Sequence, residues 1–307
     1  GFYGHARIVG IEPTHLMSAL QDGLIVFVAG FQGNTGTHQI TTLGAGGSDY
    51  TAVALTHVIE DTPQLPFGEE LEVEPLQVFK DVDGIMTANP KSLDDDNPPR
   101  TLPHLTYDEC VAMSRLGAEV LQQQAAEMAR KYAIPVTVRN FQVPGSAGTT
   151  VGAPASSSDV DRATAIVDQP SLVIFDIESD NPRLSLQIAE RLERVRLTFF
   201  QVSTKEAGTR FAVRPLKYGS VDSIIRHVLA ERQVSAEINA SDFALVSVVG
   251  EAGRRQLDHW NAQAERVLAD NGIDIHGAAR DDISLSYLVP EEHRKKAVSA
   301  LHKALVL

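Results

Sequence analysis

The sequence predicts an α/β protein whose first half carries a parallel sheet and whose second half repeats one βαββα unit twice. Three observations carry this. The run at 24–31, Leu-Ile-Val-Phe-Val-Ala-Gly-Phe, is apolar throughout, as a strand covered on both faces of a parallel sheet would be. A glycine-rich loop, an apolar-periodic stretch and another short apolar run follow it, which is the strand, loop, helix, strand order of α/β proteins. After a stretch rich in Gly, Ser, Ala and Pro (143–161), the pattern changes and recurs.

In order along the chain, the loop 41–49 leads into a helix at 48–59. An acidic, proline-containing loop (60–74) precedes a strand at 76–79. Thr106 with Glu109 three residues on forms a capping box for a helix ending at Leu116. Leu121, Met128 and Tyr132 mark one face of the next helix, and 135–139 reads as a strand. The stretch 143–161 is expected to be a domain linker, with the boundary near 155–161.

The first repeat then reads as strand 172–177, helix 184–194, strands 196–203 and 209–215, and helix 220–231. The second reads as strand 243–249, helix 256–271 stopped by Gly272, strands 273–278 and 283–289, and helix 291–305. The stripe Leu257, Trp260, Ala264, Val267 and Leu268 places the helices on one face of an antiparallel sheet. The open edges of two such sheets are expected to pair. The expected domains are 1–154, 155–240 and 241–307.

Composition narrows the function. With 43% apolar residues, 307 residues can bury substantial cores. No apolar run approaches the roughly 20 residues of a membrane span, and no basic-then-apolar leader is present at the start, so the expected location is cytoplasmic. The formal charge of −13, from 40 acidic and 27 basic residues, argues against a nucleic-acid partner. Cys110 is the single cysteine, which excludes an intrachain disulfide and paired-thiolate metal sites. It lies on an expected helix and reads as inert. His38 and His57 have no metal-ligand spacing, and Asp94-Asp95-Asp96 reads as a solvated loop. No metal site of protein ligands is expected.

The chemistry concentrates in two motifs. Thr41-Thr42-Leu43-Gly44-Ala45-Gly46-Gly47-Ser48-Asp49 offers backbone N–H groups and a helix N-terminus to an anion. Lys80-Asp81-Val82-Asp83-Gly84 stands at the C-terminal end of an expected parallel strand, where ligands bind in open α/β sheets. Asp83 reads equally well as an Asx turn before glycine.

With these motifs the chain resembles the aspartate kinases, which belong to the carbamate-kinase-like amino-acid kinases and carry two amino-acid-sensing ACT modules after the kinase domain. The resemblance rests on residues 28–33, 41–49, 80–91 and 129–140. Val246 to Gly250, Asn271 to Ile275 and Ala297 to His302 match the last ACT module. It implies an N-terminally incomplete parallel-sheet kinase domain followed by two ferredoxin-like βαββαβ modules. The implied activity is ATP-dependent phosphorylation of L-aspartate to 4-phospho-L-aspartate, the first step of lysine, threonine and methionine biosynthesis, with Mg2+ accompanying ATP. Gly46, Gly47 and Ser48 would hold aspartate, and the catalytic Asp49 would orient the positive groups around the transferred phosphate. Lys80, Asp81, Met86 and Lys91 would line the nucleotide site.

Asp180, in the loop Asp180-Asn181-Pro182-Arg183, and Gln201 would bind a lysine or threonine effector, and the ACT modules would join a homodimer. With Arg183 where the family has glycine, Asn181-Pro182 reads better as a plain helix start.

The chain also departs from the family. Ala45 stands where the family has a substrate-holding arginine, Met86 replaces a tyrosine, Asn89 an aspartate, Lys91 an arginine, and Gln122-Gln123 a His-Pro pair. Arg7 is the only Lys or Arg among the first 79 residues, and the family's opening Lys-Phe-Gly-Gly is not seen. The 307 residues alone are therefore expected to turn over no ATP. A non-catalytic amino-acid-binding regulatory subunit with a degenerate kinase remnant is the alternative, and another amino-acid kinase is a third.

Overall fold

The computed structural model describes residues 6–37, 39–44, 46–61, 73–118, 121–154, 162–177, 182–194, 197–203, 209–214, 221–234, 238–240 and 242–306. Two compact units emerge. The first comprises Gly1–Ile85, Thr101–Ser114 and Glu119–Ser158; the second comprises Met86–Arg100, Arg115–Ala118 and Asp159–Leu307.

The first unit opens with helix α1 (Thr14–Gln21) and the antiparallel pair β1 (Gln32–Asn34) and β2 (Ile40–Thr42). Helix α2 (Gly47–Asp61) follows, then β3 (Leu76–Lys80), β4 (His104–Thr106), α3 (Tyr107–Leu116), α4 (Gln123–Tyr132), β5 (Val136–Asn140) and β6 (Thr149–Gly152). The four-stranded sheet has the order β3-β5-β6-β4, with β3 parallel to β5, β4 parallel to β6, and β5 antiparallel to β6.

Helix α3 starts where the capping box places it. Thr106 Oγ1 accepts the Glu109 N–H at 3.1 Å, and Glu109 Oε2 accepts the Thr106 N–H at 2.9 Å. Helix α4 is capped by Gln122, whose Oε1 accepts the Ala125 N–H at 2.9 Å, and it ends at Ala133 in the left-handed region. Its buried face, Ala125, Ala126 and Ala129, lets it lie close against α2, where the His57 ring stacks on Tyr132 at 3.5 Å.

Two expectations fail in this unit. Residues 24–31 form no strand and join neither sheet, and Ile25 and Phe27 are 87% and 93% exposed. Apolar character on both faces records that a segment can be covered; whether neighbours cover it is a property of the fold. The stretch 143–161 is likewise not a plain linker, because it contains β6, which lies between β5 and β4 in the sheet. Its four residues are too short to register against glycine- and serine-rich flanks. Residues 62–72 of the acidic loop and 155–161 at the expected boundary lie outside the described residues.

The second unit holds β7 (Ala165–Gln169), β8 (Val173–Ile177), α5 (Pro182–Arg194), β9 (Phe199–Ser203), β10 (Thr209–Val213), α6 (Val221–Glu231), β11 (Ile238–Ala240), β12 (Phe243–Val249), α7 (Gly253–Asp270), β13 (Gly277–Asp281), β14 (Ser284–Pro290) and α8 (Arg294–Leu305). They build one eight-stranded sheet, β11-β8-β10-β9-β13-β14-β12-β7. The first repeat closes on itself as β11-β8-β10-β9. The second takes its fourth strand from β7, which precedes the first repeat in sequence and pairs antiparallel with β12. Neither β7 nor β11 is legible from the repeat pattern. The expected pairing of sheet edges is present, with Ala278 of β13 in register with Ser203 of β9. Arg210 reinforces this join: it holds Asp176 bidentately at 2.7 Å and donates to the His276 carbonyl at 3.0 Å.

Each repeat has its own core on the helical face. Phe175, Phe211, Ile188, Leu192, Ile225 and Val228 fill the first, with the Phe175 and Phe211 rings stacked at 5.1 Å. The predicted stripe on α7 fills the second, together with Val246, Val248, Val298 and Leu301. Helix α7 ends in a Schellman motif: the Ile273 N–H reaches the Leu268 carbonyl and the Gly272 N–H reaches that of Ala269, both at 2.9 Å, with Gly272 at φ +67°. This is why β13 begins at Gly277 and not at 273: Ile273, 3% exposed, is the hydrophobic partner of the cap.

His302 on α8 is fully buried, and desolvation, with the Arg100 charge second, holds its pKa below the ordinary 6.5. The folded protein therefore keeps this ring neutral where the unfolded chain protonates it. Its contribution to stability is complete above about pH 6.5 and declines as pH falls toward the lower folded value. The melting temperature should fall more steeply between pH 7 and 5 for the wild-type chain than for His302→Gln; parallel curves would contradict this.

Candidate functional site

The loop before α2 is shaped by what surrounds its glycines. Gly46 has φ +74°, and a Cβ there would lie 2.7 Å from Gln122 Cβ; at Gly47 it would lie 2.7 Å from Leu43 Cβ. Side chains are thus excluded on steric grounds, and the loop backbone runs close to α4. The turn is tied by the Gly47 N–H to the Gly44 carbonyl at 3.0 Å and the Asp49 N–H to the Gly46 carbonyl at 3.1 Å. Gly46 and Ser48 are exposed, Gly47 is buried, and Asp49 stands in the first turn of α2, where a carboxylate is favoured by the helix dipole.

Asp49 and Lys80, 31 residues apart, are brought together. Lys80 Nζ is 3.3 Å from Asp49 Oδ2, with the side chains 25% and 17% exposed. The same Oδ2 receives the Gln122 backbone N–H at 3.4 Å. Gln122 is a supporting residue that the sequence shows only as a departure from the family, because a glutamine three residues before an alanine is no capping signature. Lys80 ends β3, and the turn beyond it is fixed by Asn140 Nδ2 donating to Asp83 Oδ1 at 2.7 Å, so Asp83 serves the turn. Asp81 is exposed. In Gly84, at φ +123°, a Cβ would meet Thr149 Oγ1 at 2.6 Å.

The remaining expected residues fall elsewhere. Met86, half-buried, and Lys91, exposed, belong to the second unit, where the Asn89 side chain accepts the Lys91 N–H at 3.0 Å. Gln201 is exposed on β9. Ala45, His38 and Asp180 lie outside the described residues. Cys110 is buried, and desolvation pushes its thiol up to about 12, which removes it as a nucleophile at neutral pH. Among the described residues there is no cluster of three His, Cys, Asp or Glu able to hold a metal ion, and no helix is long and apolar enough to cross a membrane.

Residues 3–140 match the model of the amino acid kinase family. The chain is 32% identical to the aspartokinase of Geobacillus stearothermophilus over 312 residues, covering 99% of this chain and 72% of that protein. It is 31% identical to aspartokinase 2 of Bacillus subtilis (strain 168), again over 99% of this chain and 72% of the relative. The structure of Escherichia coli aspartokinase III in complex with aspartate and ADP superposes with a TM-score of 0.78 at 22% identity, covering 96% of this chain and 63% of that one. The fold is therefore shared, and the chain spans a little under two thirds of that solved enzyme. Identity of about a third over 99% of its length makes this chain a member of the aspartokinase family.

Proposed function

We propose that the protein is an aspartate kinase, transferring the γ-phosphoryl group of ATP to the side-chain carboxylate of L-aspartate. An aspartate carboxylate oxygen forms the new bond to the γ-phosphorus, the bond from that phosphorus to the β,γ-bridging oxygen breaks, and ADP leaves carrying that oxygen, with 4-phospho-L-aspartate as the product. The acceptor is ionised at neutral pH, so no general base is needed, and the work of the site is positioning and charge neutralisation. The observation that carries the reading is the Asp49–Lys80 pair, which sets a cation at the mouth of a glycine-rich turn and a helix N-terminus.

In this reading Gly46, Gly47 and Ser48 hold aspartate, and Asp49 orients the Lys80 ammonium toward the phosphate. Lys80 and Asp81 serve the nucleotide, and Met86 and Lys91 are further nucleotide contacts. Mg2+ is commonly held by one or two carboxylates together with nucleotide phosphates, and the exposed Asp81 fits that use. When bound, the metal would supply charge neutralisation on the phosphates. Titrating the chain with MgADP and then L-aspartate in a calorimeter tests the reading. Saturable binding of both is expected, whereas no nucleotide binding with amino-acid binding retained would favour the regulatory subunit.

We further propose a cytoplasmic homodimer joined through the βαββαβ repeats, with lysine or threonine as effector near Asp180 and Gln201. Escherichia coli aspartokinase III has been solved with lysine and aspartate. Lysine or threonine at 100 times its Kd should stabilise the chain by about 2.7 kcal/mol, visible as a raised melting temperature. No shift at millimolar concentrations of either would contradict sensing.

A further inference from the structure

The segment Met86–Arg100 lies inside the stretch that matches the amino acid kinase family, yet it is built into the second unit. Ala88 belongs to the core of Trp260, Val298 and Leu301, and Leu93 packs against it. The Thr87 carbonyl accepts the Ile166 N–H at 2.8 Å, which ties the segment to β7.

Two polar clamps fasten it to α8 and its surroundings. In the first, His302 sits between Thr87 Oγ1 at 2.8 Å from Nε2 and Asn97 Oδ1 at 2.9 Å from Nδ1. An amide oxygen only accepts, so Nδ1 carries the proton and Nε2 accepts the Thr87 hydroxyl. Thr87 Oγ1 in turn accepts the Arg100 N–H at 3.0 Å, Asn97 Nδ2 donates to the Ser299 carbonyl at 3.1 Å, and Arg100 reaches the Val306 carbonyl at 3.1 Å. In the second, Ser92 Oγ donates to Asp168 at 3.0 Å, and Arg294 binds Asp168, Ser92 at 3.2 Å and Glu291 at 2.8 Å. Thr87, Ser92 and Asn97 are buried to within 3%. A buried network so completely satisfied holds its members in one geometry. Lys91 lies between the clamps and remains exposed, and Met86 lies just before the first.

We propose that α8 is the mount for a nucleotide-contacting segment, with His302 and Arg294 as positioning residues for Met86 and Lys91. This rests on the kinase reading above. Holding Lys91 in place removes much of the ordering cost that a nucleotide contact at this residue would otherwise carry.

The test uses the intact chain with Asn97→Ala, His302→Ala and His302→Gln, reading tryptic cleavage after Lys91 under native conditions together with calorimetric Kd values for MgADP and aspartate. Asn97→Ala and His302→Ala should cleave at least about 10-fold faster and bind MgADP about 5- to 10-fold more weakly, with aspartate affinity unchanged. His302→Gln, which keeps a partner for Thr87, should recover part of both. Should His302→Ala fail to fold, Asn97→Ala carries the test. Unchanged cleavage, or faster cleavage with MgADP affinity unaltered, overturns the proposal while leaving the kinase reading intact. A wild-type chain that does not bind MgADP overturns that reading and this proposal with it, even though the cleavage rates would still report the clamps.

Discussion

Replacing Lys80 with methionine is expected to weaken MgADP binding by about 10- to 100-fold, since hydrogen bonds to charged groups contribute roughly 1.5–3 kcal/mol each. The fold should tolerate the change. The Asp49–Lys80 pair is partly solvated, and such pairs contribute about 0–1 kcal/mol to stability. Lys80 stands at the end of β3, whose parallel pairing with β5 does not depend on the ammonium group. Calorimetric Kd values with a parallel thermal melt separate the two effects. If Kd changes by less than twofold, Lys80 does not meet the nucleotide. Asp49→Asn in the same background should add little if Asp49 acts, as proposed, by holding Lys80, and a double-mutant cycle would show the coupling.

Trp260→Ala is expected to cost about 3–5 kcal/mol, the usual range for emptying a large aromatic site. Trp260 is 1% exposed at the centre of the second repeat's core. Its ring lies against the backbone of the turn from β12 into α7: Cβ atoms built on Gly250 and Gly253 would approach it at 3.2 and 3.1 Å. Main chain of this kind cannot readily fill the void. A fall in melting temperature on the order of 10 °C should follow. A loss below about 1 kcal/mol would show that the stripe on α7 is not what holds this repeat together.

What could be read in advance follows from where the determinants are local. The capping box of α3, the stripe on α7 and the strand 243–249 rest on neighbours within a turn or two, and each is present in the structure. The glycine-rich loop was legible because steric exclusion at Gly46 and Gly47 leaves a compositional trace. Strands β6 and β7 were not: β6 is four residues between glycine- and serine-rich flanks, and β7 acquires its place from β12, distant in sequence. The run 24–31 misled for the converse reason, having apolar character without strand partners among the described residues. Lys80 and Asp49 were each named by resemblance, but their ion pair, and the Gln122 N–H that supports it, are products of folding. That Met86–Arg100 packs with the second unit has no sequence signature at all, because its clamps close over about 200 residues.

In the proposed kinase, the turn before α2 and the end of β3 receive nucleotide and aspartate together. Amide hydrogen exchange of the chain with and without MgADP plus L-aspartate tests it most directly. Peptides covering 43–50 and 76–84 are predicted to gain protection. Ligand-dependent protection confined to other segments, with these two unchanged, would contradict the account.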